Sequence, residues 1–114
     1  MRTGLGWRSL DPVEAVSAVH AIQDRNTLLR IVCEAMHPEA RRMALLKLGD
    51  KDLMASYALS DASPVVRRRM VRELDDVKTV LHIAENDMDS SVKESACMRL
   101  EQLRKLSPTT RENH

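Results

Sequence analysis

The chain has 114 residues, enough for one domain with a continuous core, and 31% of them are charged. The charges nearly cancel to a net +1, which argues against a protein that binds nucleic acid by electrostatics alone. Phe is absent, and Trp7 and Tyr57 are the only aromatic residues, so the core must consist of aliphatic side chains, Ala and Met, which favours packed helices over a β-sandwich.

Two features of the sequence indicate a cytoplasmic protein. The N-terminus has no long apolar run, so we expect neither a signal peptide nor a membrane span. The two cysteines, Cys33 and Cys97, show no paired pattern, which fits a reducing compartment. We therefore expect a cytoplasmic location and no membrane partner.

A helix start recurs along the chain every 26 residues. At Ser63 the side chain is a preferred N-cap, and Pro64 suits the first helical position, where a missing N–H costs nothing. Apolar side chains then follow at i, i+4 and i+8, in Val66, Met70 and Leu74. The same start position is occupied in the other copies by Asp11-Pro12, His37-Pro38 and Asp89-Ser90.

A second helix is predicted in each of the first three copies. Asp24, Asp50 and Asp76 share one position in the repeat and are placed to cap it. The fourth copy has Gln102 there, so its helix is predicted to continue unbroken to about Leu106.

The fold predicted from this pattern is all-α, with about four helical-hairpin repeats in a domain of residues 10–106. The repeats are 10–35, 36–61, 62–87 and 88–106. Residues 1–9 are too rich in glycine for a helix of their own and form a lead-in, from which Trp7 packs over the open end of the first repeat. Residues 107–114 contain Pro108 and are predicted to be a disordered tail.

The third copy and the start of the fourth resemble the HEAT-like repeats of bacterial proteins. The shared pattern is an aspartate, Val-Arg after a short gap, a small apolar residue, Leu-Asp and a second apolar helix. It is carried here by Asp61, Val66, Arg67, Met70, Leu74, Asp75, Asp76, Leu81, Ala84 and Asp87, and then by Val92, Lys93, Ala96 and Leu100. The period of 26 residues is shorter than that of ordinary HEAT repeats, about 40 or more.

This resemblance implies an α–α superhelix, here a short α-solenoid, with the first helix of each repeat along the concave side. The alternative is the leucine-rich repeat variant, which has a still shorter period and a 3-10 second helix. The resemblance implies no single activity, since such repeats serve as scaffolds, adaptors and, in a few proteins, enzymes.

The charged residues next to the helix starts are interpreted as structural. Asp61 and Arg67 are expected to lock a loop, by a bond within the repeat or across to its neighbour. Asp87 and Lys93 occupy the matching positions one repeat later, whereas Ala35 leaves Arg41 without an acidic counterpart.

The sequence does not indicate an enzyme. Cys97 occupies a repeat position that is apolar in the other copies and is therefore predicted to lie in the core, and Cys33 falls on a half-buried edge. A reactive thiol needs an activating partner, and the repeat pairs neither cysteine with a histidine. His82 and Glu85 have a spacing that could serve a metal, but helix capping explains the acids around them. We expect no cofactor and no metal.

The outward side of the first helices is the candidate binding surface, because it is partly basic and unusually apolar. A solvated face with scattered apolar residues is the alternative explanation. The candidate binding residues are Arg42, Met43, Leu46, Val65, Arg68, Arg69, Arg72 and Met98. The same arc continues in Val13, Val16, Ser17, His20, Glu39, Ser91, Glu94 and Ser95.

The function predicted from this surface is a non-catalytic scaffold or adaptor. It would bind a protein or peptide, acidic and with apolar anchors, along a shallow groove on the concave face. The alternative is weak nucleic-acid binding, which the net charge and the lack of aromatic platforms disfavour. That alternative would use Arg41, Arg42, Arg67, Arg68, Arg69 and Arg72.

Overall fold

A computed structural model of the chain describes residues 6–106, and the all-α prediction is confirmed for this range, which contains no strand. The predictions for residues 1–5 and for the tail at 107–114 lie outside the described residues. A short 3-10 helix is followed by α1 (Pro12–Ala21), α2 (Arg25–Glu34), α3 (Pro38–Leu48), α4 (Lys51–Ser60), α5 (Pro64–Val71), α6 (Val77–Asn86) and α7 (Ser90–Lys105).

The helices form two compact units, which meet in sequence within α4, between Leu53 and Met54. In the N-terminal unit, α3 packs against α1 and α2, and the 3-10 helix packs against α1. In the C-terminal unit, α7 packs against both α5 and α6.

The core of the N-terminal unit combines small and branched side chains. Alanines on α1 and α3 are fully buried, and small side chains at a helix contact allow the two axes to lie close together. The buried apolar residues of this unit are Ala15, Val19, Leu28, Ile31, Val32, Ala35, Ala40, Ala44 and Leu45.

The core of the C-terminal unit is built around the predicted stripe of α5. Val66 and Met70 are completely buried and Leu74 is nearly so, which confirms their placement. On α6, Val80 and Ile83 are buried, whereas Leu81 is 43% exposed. The other buried apolar residues are Met54, Ala58, Val71, Val92 and Ala96.

The first helices begin at the expected cap residues. The side chains of Asp11, Ser63 and Asp89 each accept a hydrogen bond from a main-chain N–H in the first turn of the helix that follows. His37 is also an N-cap residue, but its ring makes no capping bond. The His37 Nε2 lies 3.0 Å from the carbonyl oxygen of Ser9, so this side chain ties α3 to the segment before α1.

The second helices also begin after the predicted aspartates. Asp50 Oδ1 accepts a hydrogen bond from Leu53 N at 3.0 Å. Asp24 Oδ2 accepts from both N and Oγ1 of Thr27, at 2.9 and 2.7 Å, and Asp76 Oδ2 accepts from Thr79 Oγ1 at 2.6 Å. These hydroxyl donors stabilise the charged carboxylate and so lower the pKa of Asp24 and of Asp76 below the ordinary value of 3.8.

The last helix is unbroken from Ser90 to Lys105, as the absence of an aspartate at position 102 predicted. Cys97 on this helix, however, is exposed, so the prediction that it lies in the core is wrong. The matching residues Val19, Leu45 and Val71 are completely buried. No helix follows α7 within residues 6–106, and α7 turns Val92 and Ala96 towards its neighbours, which leaves Cys97 uncovered.

The prediction that the lead-in forms no helix of its own is wrong for its described residues, 6–9. Gly6–Arg8 forms a 3-10 helix in which Gly6 has a φ of +55°, a conformation that favours glycine. The guanidinium carbon of Arg8 lies 4.2 Å from the centre of the Trp7 ring, a cation–π contact. Trp7 is half-buried. Cys33, on α2 of the same unit, is exposed, not half-buried as expected.

The threonine hydroxyls should control the titration of the two capping aspartates separately. Thr27→Val should raise the pKa of Asp24 towards 3.8 and leave the pKa of Asp76 lowered, and Thr79→Val should do the reverse. Because each pKa is lowered by folding, the stabilisation is present above pH 3.8 and is lost as the pH falls through the lowered pKa. Carboxyl-carbon NMR titration measures both groups in each variant, and a pKa that does not respond to loss of its hydroxyl would contradict this account.

Candidate binding groove

The guanidinium group of Arg67 joins two loops of the C-terminal unit. Its Nε and Nη2 donate to the two carboxylate oxygens of Asp87, at 2.9 and 3.2 Å, and its Nη1 donates to the main-chain oxygen of Asp61 at 2.7 Å. Only 15% of the Arg67 side chain and 6% of the Asp87 side chain are exposed. This fork-shaped pair therefore connects the start of α5 with the loop between α6 and α7.

The partners within these loops differ in part from the sequence prediction. Arg67 reaches Asp61 through the main chain, while the Asp61 carboxylate accepts from Ser63 N at 2.8 Å. Asp87 pairs with Arg67 and not with Lys93, whose side chain is exposed. Arg41 was expected to lack a counterpart because residue 35 is alanine, yet its Nη1 donates to the main-chain oxygen of Ala35 at 2.8 Å, since that oxygen is present whatever the side chain.

Arg68 is a structural residue as well as a candidate binding residue. Its Nη1 donates to Ser91 Oγ at 3.0 Å, and the Ser91 hydroxyl in turn donates to Asp89, the cap of α7. The hydroxyl of Ser91 also lowers the pKa of Asp89. Arg68 therefore links α5 to the start of α7, which sequence reasoning did not anticipate.

Arg99 is a further linking residue that sequence reasoning missed. Its Nε donates to the main-chain oxygen of Leu74 at 2.7 Å, its Nη2 to Asp75 Oδ1 at 2.9 Å and its Nη1 to Gln102 Oε1 at 3.0 Å. The signal was a cation at the repeat position of Lys47, whose Nζ donates to the main-chain oxygen of His20 at 2.8 Å in the N-terminal unit. Cations commonly bind the last carbonyl groups of a helix in this way.

An open groove of about 400 Å³ lies between α5 and α7 in the C-terminal unit. We call it the α5/α7 groove. It brings together three of the candidate binding residues, Arg69, Arg72 and Met98, whereas Val65 and Arg68 do not line it. The remaining lining residues are Glu73, Ser95, Arg99 and Gln102.

The three arginines of the α5/α7 groove differ in whether a carboxylate of the fold neutralises their charge. Arg69 Nε lies 3.3 Å from Glu73 Oε2, close enough for an ion pair, although this buried nitrogen makes no hydrogen bond. Arg99 is occupied by the contacts described above. Arg72 is exposed, and its side chain makes no hydrogen bond or ion pair with any residue in the range 6–106. It is therefore the open cation of the groove.

A second groove, of about 460 Å³, lies between α1 and α3 in the N-terminal unit. Its walls are mainly apolar, and Val13 is 72% exposed. The lining residues are Pro12, Val13, Val16, Ser17, His20 and Glu39, and all but Pro12 belong to the outward arc predicted for the first two repeats. The candidate residues Arg42, Met43 and Leu46 also lie on α3 in this unit, are half-buried, and do not line this groove.

No group of three or more His, Cys, Asp or Glu side chains within residues 6–106 is arranged to hold a metal ion. His82 contacts Asn86, whose Nδ2 donates to the main-chain oxygen of His82 at 3.0 Å, so this histidine takes part in a contact within α6. Among the helices of the described range, none combines the length and the apolar character needed to span a bilayer.

Comparisons of the chain with protein-family models, with curated proteins and with solved structures found no match.

Stability measurements should separate the linking arginines from the open one. Arg67→Ala leaves the Asp87 carboxylate largely buried without its partner and should lower the free energy of unfolding by about 2–4 kcal/mol. Arg72→Ala removes no contact with a described residue and should change it by less than about 0.5 kcal/mol. Urea denaturation followed by circular dichroism measures both. Equal losses in the two variants would contradict the distinction.

Proposed function

We propose that the chain is a non-catalytic binding module that holds an acidic protein or peptide segment with apolar anchors. We also propose that its helices form HEAT-like helical-hairpin repeats in an α–α superhelix of 26-residue period. The regular spacing of the helix starts supports this arrangement: the first helices begin at Pro12, Pro38, Pro64 and Ser90, and the second helices at Arg25, Lys51 and Val77. A location in the cytoplasm remains part of the proposal.

The observation that carries the proposed function is the α5/α7 groove. It presents the open cation Arg72 and the 60% exposed Met98 on one surface. An arginine offers a planar fork to carboxylates, and a methionine adapts to irregular apolar shapes. Because the groove is open and shallow, it suits an extended or helical segment better than an enclosed small molecule.

The bonding of the arginines supports a protein partner over nucleic acid. Four of the six arginines that would have formed a basic patch are tied to the fold: Arg41, Arg67, Arg68 and Arg69. Nucleic-acid binding draws its affinity from several cations that neutralise phosphates together. Only Arg42 and Arg72 have no described partner, and two cations would neutralise few phosphates.

A peptide array tests the proposed function. The wild-type protein should retain peptides that combine Asp or Glu with Leu, Ile or Met, and binding should weaken as salt is raised. Arg72→Glu should abolish this retention, because it reverses the open charge of the groove without breaking a described contact.

The matched control is Arg42→Glu, which reverses another arginine without a described partner at a position outside the groove. It should leave retention close to that of the wild type. If both variants lose the acidic peptides equally, the groove is not the site. If single-stranded oligonucleotides are retained more tightly than any peptide, nucleic acid is the better assignment.

A further inference from the structure

We infer that the α5/α7 groove recognises one carboxylate beside an aliphatic side chain and discriminates against a phosphate group. This inference rests on the proposed function and specifies the ligand of the same groove. It rests on the fact that two of the three arginines of the groove already have carboxylate partners.

The charges that line the groove are mostly compensated within the fold. Arg69 faces Glu73 with Nε 3.3 Å from Oε2, and Arg99 is paired with Asp75 at 2.9 Å. Arg72 is the third cation and has no partner among the described residues. One uncompensated positive charge is therefore available, which matches a ligand with one negative charge.

Most of the hydrogen-bond donors of Arg99 are already used by other residues of the fold. Each of its three guanidinium nitrogens donates to an oxygen of the fold, and only 16% of its side chain is exposed. These bonds use three of its five N–H groups, and its charge is already paired with the Asp75 carboxylate. Arg99 thus stiffens the wall of the groove and adds little to the binding of a second negative charge.

A phosphate group needs more than the groove offers. A phosphorylated side chain carries a charge of about −1.5 to −2 and is usually held by several arginines. Because Glu73 already compensates Arg69, the groove offers no second free cation for the additional charge. A carboxylate, in contrast, is satisfied by the two parallel donors of a single guanidinium group.

Met98 supplies the apolar half of the recognition. It is 60% exposed on α7 and lines the same groove as Arg72. Its flexible thioether side chain can cover an aliphatic residue of the ligand. A ligand that has both a carboxylate and an aliphatic side chain can therefore contact both Arg72 and Met98, whereas a ligand with one of these groups can contact only one of the two.

The test uses short synthetic helical peptides that each contain one leucine and one variable residue. The variable residue is glutamate, glutamine or phosphoserine. Each of these three peptides is made in two versions, with the leucine either three or four residues away from it. Binding is measured from the shifts of the α5 and α7 amide signals in NMR titrations. The protein variants are Arg72→Ala and Met98→Ala.

The glutamate peptide should bind at least tenfold more tightly than the glutamine peptide, and the phosphoserine peptide should bind no more tightly than the glutamate peptide. Arg72→Ala should remove the preference for glutamate over glutamine, and Met98→Ala should weaken both peptides alike. The matched controls are Arg42→Ala and Met88→Ala, which alter another arginine without a described partner and a 98% exposed methionine outside the groove.

The outcomes separate this inference from the proposed function. If the phosphoserine peptide binds tenfold more tightly than the glutamate peptide, the groove is a phosphate site and the inference is wrong. If all three peptides bind equally and Met98→Ala weakens them, the groove binds peptides without reading a carboxylate, so the inference fails and the proposed function stands. If no peptide shifts the α5 and α7 signals, both are wrong.

Discussion

In the C-terminal unit, the bonds that Arg67 makes with the Asp87 carboxylate and the Asp61 carbonyl hold the loop before α5 against the loop after α6. They span 20 residues of chain and fix the loops at both ends of the α5–α6 pair. Because the pair is largely buried, its hydrogen bonds are stronger than those of an exposed ion pair, while its desolvation makes the loss of one partner costly. The position of α7, and with it the second wall of the groove, depends on this loop.

The groove is a consequence of how the remaining arginines divide their roles. Arg68 and Arg99 link α5, and the turn after it, to α7, so the two walls are connected at the start of α7 and again along it. Between these links the side chains of Arg72 and Met98 remain exposed. A set of identical side chains thus provides both the rigid frame and the open charge, and only their partners distinguish them.

The two units also differ in the chemistry of their grooves. The groove between α1 and α3 has no arginine: it is lined by three apolar residues and by Ser17, His20 and Glu39, whereas the α5/α7 groove is lined by three arginines. The difference arises at equivalent positions on the first helices: Ser17 and His20 line the first groove, while Arg69 and Arg72, two repeats later, line the second. The two grooves therefore differ in charge and in apolar character.

The sequence by itself determined the all-helical class, the starts of the helices and the uninterrupted course of α7. These depend on local chemistry, on cap residues such as Asp24 and Ser63 and on apolar spacing within a few turns. Only the tertiary structure decided that Arg68 and Arg99 are bound, that Arg72 is open and that Cys97 is exposed. Their environments are set by residues 20 or more positions away, or by which face of α7 packs against α5 and α6, and helical periodicity within one helix carries no information about either.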